Sequence, residues 1–286
     1  MKLQLMTDSG ADLTKALQEK WDVNIISLFV LFGSEQFKSE SLTTHDFLAR
    51  ITNTKTFPSS SAPSPQDYYD AFVATPADTP IVLVSVSSGV SASYNHALMG
   101  KTMLLEKEPN RIIHIIDSKA ASSGMMLLLE LAHELKEKDT PLEKIVETLN
   151  NRVPYLRTIF VLETLDNLIR GGRLDKVKGT VAKTLNVKLI LHASHEGKIE
   201  VLEKVRGTKK ATRRFVETIG EYIQDTKDKT FGLTHGNDPS RCEQFLSLIK
   251  ERYQFKKIIT AETGPVISAH AGQGAIVMSF FSDKAR

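Results

Sequence analysis

Short runs rich in Val and Ile alternate with helix-length stretches along nearly the whole chain, and that alternation constrains the fold more than any other feature. "KLQLMTD" precedes a helix-like "ADLTKALQEKW". "VNIISLFVLFG", "PIVLVSVS" and "RIIHIID" follow, interspersed with "SPQDYYDAFVAT", "SYNHALMGKTMLLEKE" and "GMMLLLELAHELKEK". The apolar runs have the length of buried strands and the spacers read as helices. Such alternation predicts a mostly parallel sheet covered on both faces. From about residue 156 the texture changes: "RTIFVLET", "NVKLILHAS" and "KIEVLEKVR" read as strands, the last two joined hairpin-like through "HEGK". A long helix over about 208–226, "FGLTHG", a helix over about 239–253, "KKIITAE" and "AIVMSFF" complete an α+β half. The expected class is α/β, with an N-terminal domain over 1–155 and a C-terminal one over 156–286, either of which could lend elements to the other.

Bulk properties exclude several classes. No apolar run approaches the roughly 18 residues that would signal a membrane span, so stable membrane insertion is not expected. "MKLQLMTDSGAD" turns polar too soon for a signal peptide. Cys242 is the only cysteine, which rules out an internal disulfide and a thiolate metal site and favours the cytoplasm. The histidines show no metal-ligand spacing, so no metal is expected. A net charge of +3 is too weak to argue for nucleic acid.

Four stretches could carry chemistry. In "VSVSSGVSASY" a strand breaks into a turn holding Ser87, Ser88, Gly89, Ser91 and Ser93, with a helix expected to begin near Ser91. That geometry aims backbone N–H groups at an anion, outside the carboxyl end of a strand. The lysine of a phosphate-binding loop is missing, so a carboxylate suits the cradle better than a polyphosphate. A plain helix cap is the bland alternative. A serine nucleophile at Ser91, with His235 or His270 as base, is the catalytic one; Ser93 replaces the second glycine of G-x-S-x-G. "FPSSSAPSPQD" places Ser59, Ser60 and Ser61 in a loop ahead of a helix started by Ser64, Pro65 and Asp67. "ETGPVISAHAGQGAIVMSFF" sets His270 in a glycine-rich loop before a final strand, which is no dinucleotide fingerprint. "LIRGGRLDKVKG" holds Arg170 and Arg173 across a Gly-Gly turn, and "EKVRGTKKATRR" concentrates six basic residues within 204–214. There Lys209/Arg213 and Lys210/Arg214, spaced i,i+4, would form a positive helix face: a solvated surface, a phosphate approach or a docking site for an acidic partner.

Together and in order, these stretches resemble the DegV family, bacterial fatty-acid-binding proteins that serve a fatty acid kinase. The resemblance runs the whole length: "TDSGADL", then "SSSAPSP" in the T-S-x-P-S place, "SSGVSASY" in the S-S-G-L-S-G-T-Y place, "LETLDNLIRGGRL", "VRGTKKA" and "GPVISAHAGQG". It implies two α/β domains with a ligand tunnel between them, holding a long-chain fatty acid. The carboxylate would be held by Ser60 and Ser91 with His270, with Ser61, Ser88 and Gly89 of the same turns as further carboxylate contacts. Arg206 would lie near the carboxylate entrance, suited to an acyl phosphate, with Arg170 and Arg173 as further phosphate or partner contacts. The resemblance implies a carrier with no catalytic residue and no cofactor of its own. A separate kinase ATP-binding subunit would be its partner, and the chain is expected to be a monomer. The departures are Ser60 for the usual threonine, Ala92-Ser93 for Gly-Thr and Gln273 for a proline; none removes a hydrogen-bonding group. A serine esterase or thioesterase using Ser91 is the alternative.

Overall fold

A computed structural model describes residues 2–54, 57–174 and 186–286. In chain order the first half holds β1 (Gln4–Asp8), α1 (Lys15–Trp21), β2 (Val23–Ile26), β3 (Phe29–Phe32), β4 (Glu35–Lys38), α2 (Thr44–Thr54), β5 (Ser59–Ser61), α3 (Pro65–Val73), β6 (Ile81–Ser85), α4 (Ser93–Leu105), β7 (Ile113–Asp117), α5 (Ser123–Glu137) and α6 (Leu142–Arg152). The second holds β8 (Leu156–Val161), α7 (Asp166–Arg170), β9 (Val187–Ala193), β10 (Ile199–Arg206), α8 (Thr208–Tyr222), β11 (Thr230–His235), α9 (Pro239–Lys250), β12 (Lys257–Glu262), α10 (Pro265–Ala271) and β13 (Ile276–Phe281).

The chain is α/β, as its alternation predicts. A four-stranded sheet in the order β2-β1-β6-β7 is parallel throughout. One face packs on α1, α5 and α6, and the other on α3 and α4. The winding reverses between β1 and β6, and the crevice beyond the carboxyl ends at such a reversal is where open sheets bind ligands. A six-stranded mixed sheet, β10-β9-β8-β13-β11-β12, is formed entirely after residue 155. Its strands alternate, apart from a bulge in β10 between Val201 and Glu203. Ile159, Val161, Ile276 and Met278 face α8 and α9, whereas Phe160 and Val277 face the other way.

Several local expectations need correction. "VNIISLFVLFG" is two strands, because the chain leaves the parallel sheet after Ile26 and enters a small antiparallel sheet, β4-β3-β5. Residues 59–61 are not a loop but its edge strand, with Ser60 opposite Val30. His270 lies on a helix: Pro265 starts α10, whose fixed φ suits a first turn, and Gly272 at φ 75° ends it. The helix expected near Ser91 starts at Ser93, without a side-chain cap. By contrast Ser64, Pro65 and Asp67 form the full capping box. The two later helices end at Tyr222 and Lys250, short of their expected limits.

Candidate functional site

A cavity of about 130 Å³ lies between the two large sheets and is walled mostly by apolar side chains. Strand ends and following loops of the parallel sheet supply Gly10, Val86, Ser87, Val90 and Ala120–Ser122. The six-stranded sheet supplies the face carrying Thr158, Phe160, Leu162, Ala193 and Val277. α10 closes one side with Val266, Ile267, His270 and Ala271, and Leu28, Ser60, Ala62, Leu168 and Arg173 complete the polar end and its surroundings. Beyond Val90, Ser91, Arg173 and Ile199, which belong to both spaces, lies an outer recess of about 400 Å³ that also touches Ser88, Gly89, Lys198 and Glu200.

The polar end joins residues far apart in sequence. The Ser60 hydroxyl and His270 Nε2 are 2.7 Å apart. Burial, with the nearby Arg173 cation second, pushes the imidazole down to about pH 4. His270 is therefore neutral at pH 7: it offers a hydrogen bond but no charge. Its Nδ1 is buried against Gly171 with no partner among the described residues, and a Cβ on Gly171 would come within 2.6 Å of that nitrogen. Arg173 donates to Val90 O at 3.3 Å and to Gly171 O at 2.5 Å, so it braces the turn beside Ser91.

The serines of the second turn divide their work. Ser91 lines the cavity and the recess, and its hydroxyl shares a 2.8 Å bond with that of buried Ser93. The Ser87 hydroxyl donates to Gly197 O at 2.8 Å. The Ser88 hydroxyl accepts from Lys119 Nζ at 2.9 Å, and its N–H donates to Asp117. Ser88 thus faces the outer recess. The Gly89 N–H is spent on Ser87 Oγ, and a Cβ there would strike the backbone of Gly197 at 2.6 Å. Close approach of the 194–198 turn explains that glycine at least as well as an anion does. Ser61, one residue along β5, is not part of the cavity wall.

Arg170 is exposed and lies over the Phe57 ring at 5.4 Å. Arg206 is exposed at the end of β10, outside both spaces. The positive face on α8 is partly neutralised, since Arg213 binds Glu217 and Arg214 binds Glu203 and Glu221.

A Ser91 nucleophile lacks its base: among the described residues His270 sits on Ser60, and His235 Nδ1 accepts from the backbone of Asp238. Among the described residues no carboxylate stands behind His270 Nδ1 to orient it. Among the described residues no three His, Cys, Asp or Glu side chains converge as metal ligands, and no helix is long and apolar enough to cross a membrane. Sequence reasoning missed Phe160 and Ala193. Only the alternation along a strand marks such residues, and it does not say which face is the cavity.

The site is thus an apolar cavity between two α/β layers that ends in hydroxyls and a neutral imidazole. The chain belongs to the DegV family: residues 2–283 match the family described as "Uncharacterised protein, DegV family". A DegV domain-containing protein of Streptococcus pyogenes serotype M1 is 32% identical over 285 residues, covering 98% of this chain and 99% of that one. A solved DegV-family structure from Ruminococcus gnavus, refined with vaccenic acid, superposes with a TM-score of 0.90 at 27% identity, over 98% of this chain and 99% of the other. The Streptococcus pneumoniae fatty acid kinase B3 protein, loaded with linoleic acid, gives 0.86 at 28% identity over 99% and 100%.

Proposed function

We infer that this chain binds a long-chain fatty acid in the cytoplasm and presents it to a separate kinase subunit, which supplies ATP and forms the acyl phosphate. The observation that carries this reading is the apolar cavity ending at the Ser60–His270 pair, with Ser91 and Arg173 at the boundary to an open recess. A carboxylate taken from water needs hydrogen-bond donors. Ser60 can accept from His270 Nε2–H and donate its own proton to the ligand, and Ser91 offers a second hydroxyl. The tail supplies most of the affinity: at about 0.8 kcal/mol per buried CH₂, a dozen methylenes contribute on the order of 10 kcal/mol. Arg173 sits where a phosphoryl group on the carboxylate would emerge. Arg206, away from the cavity, fits a contact with the partner, as does exposed Arg170.

The test is to purify the chain from a bacterial host, denature it and extract it for mass spectrometry. Near-stoichiometric fatty acid, absent from a control protein prepared in parallel, is the expected result. An empty extract, together with no uptake of added palmitate, overturns the reading.

A further inference from the structure

The first motif, "TDSGADL", contributes no hydroxyl or imidazole to the head-group site, yet three of its four polar side chains, Asp8, Ser9 and Asp12, each hold a different part of the cavity. Asp8 accepts from the N–H groups of Val86 at 2.8 Å and Gly10 at 3.0 Å, and from the Ser85 hydroxyl at 3.1 Å. The Ser9 hydroxyl accepts from Leu28 N–H at 2.8 Å. Asp12 reaches furthest. Its Oδ1 accepts from Gly264 N–H at 2.8 Å, and its Oδ2 from the Ser122 hydroxyl, which also touches the Thr234 hydroxyl at 2.6 Å. Gly264 is the cap position of α10, and Ser122 lines the cavity where α5 begins.

We propose that Asp12 is a positioning residue for His270, holding the start of α10 so that the imidazole meets Ser60. The proposal rests on reading Ser60 and His270 as the head-group site. α10 has seven residues, fewer than two full turns, and so short a helix is not held by its own hydrogen bonds. Gly264 brings no side-chain cap and Pro265 has no N–H; the Asp12 carboxyl takes the Gly264 N–H, while the Thr44 and Ser268 hydroxyls donate to the neighbouring Thr263 O. Val266, Ile267, His270 and Ala271 all reach the cavity from this one element. A displacement of about 1 Å would take the Ser60–His270 contact outside hydrogen-bonding range. Asp12 is also a costly choice for mere filling. It is 6% exposed in a left-handed conformation at φ 52°, and burial pushes its carboxyl up to about 8.

The experiment compares the wild type with Asp12→Ala, Asp12→Asn and Gly264→Pro, measuring release of labelled palmitate and the NMR titration of the His270 ring. Asp12→Ala should release palmitate at least fivefold faster, with His270 titrating closer to an ordinary histidine. Asp12→Asn keeps an acceptor for Gly264 and should stay within twofold of the wild type. Gly264→Pro, whose φ of −70° suits proline, deletes the same bond and sets a Cδ against the Asp12 carboxyl, so it should reproduce the alanine result even if Asp12→Ala fails to fold. Ile249→Ala, a remote core change in α9, controls for stability loss alone and should leave both readouts in place. Normal release and normal His270 titration in Gly264→Pro would overturn the positioning role while the fatty acid reading stands. A wild-type chain that takes up no palmitate would overturn both.

Discussion

The two large sheets meet the cavity in different ways. The parallel sheet meets it end-on, through the loops after β1, β6 and β7; the six-stranded sheet meets it side-on, through one face of β8, β9 and β13. Strand ends carry unpaired backbone N–H groups and turn hydroxyls, so they can hold a polar head. A sheet face has spent its backbone hydrogen bonds within the ladder and presents only side chains, so it can be dry. One cavity thus gains a polar and an apolar wall because the sheets differ in orientation. The small sheet and α10 bring Ser60 and His270 to the seam.

The largest test of this contrast fills the dry wall. Ala193→Phe adds a ring from the sheet face into a cavity of about 130 Å³. Copurifying fatty acid should fall more than tenfold in extracts, with the thermal transition retained; an undiminished lipid content would mean that the tail lies elsewhere. The polar wall should respond less. Ser60→Ala and His270→Ala should each speed release about tenfold, consistent with one lost hydrogen bond to the ligand. Because the two share a bond, the double variant should cost less than the sum of the singles. Ser91→Ala should do less than either, since its hydroxyl is already shared with Ser93.

A third test concerns the strand ends themselves. Burial pushes Asp8 up to about 6 from an ordinary 3.8, so the fold favours its protonated form. That contribution is fully present below about pH 4 and is lost as pH rises through 6. The Tm of the wild type relative to Asp8→Asn should therefore fall by a few degrees between pH 4 and 6, then stay level. A flat difference across that window would show that the Asp8 carboxyl is not held as described. The smallest expected effect on binding belongs to Arg206→Ala, which should leave fatty acid retention unchanged. Acyl phosphate formation with the kinase subunit should nevertheless drop, and full activity would remove Arg206 from the transfer step.

Much of this was legible in local sequence, because local sequence sets it. Period and composition mark the strands, and Ser64-Pro65-x-Asp67 marks a helix start whose cap is closed by neighbours three residues apart. The turn after β6 was recognisable as polar, and the order of the motifs pointed to the family. Which serine does what was not legible. Ser87 bonds to Gly197, Ser88 to Lys119 and Ser60 to His270, partners 110, 31 and 210 residues away. Nothing within a turn of chain distinguishes those hydroxyls. The helical seat of His270 was misread for a related reason: so short a helix depends on contacts with the small sheet, α2 and Asp12 more than on propensity. By itself, then, the sequence determined the α/β class, the helix start at Ser64 and the polar turn after β6, all of which depend on backbone preferences and periodicity over a few residues. Only the tertiary structure decided which face of β8 is dry, which hydroxyls are free for a ligand and why Gly89 must be glycine. Those depend on how two sheets and a short helix pack together, and packing is a property of residues that meet only in space.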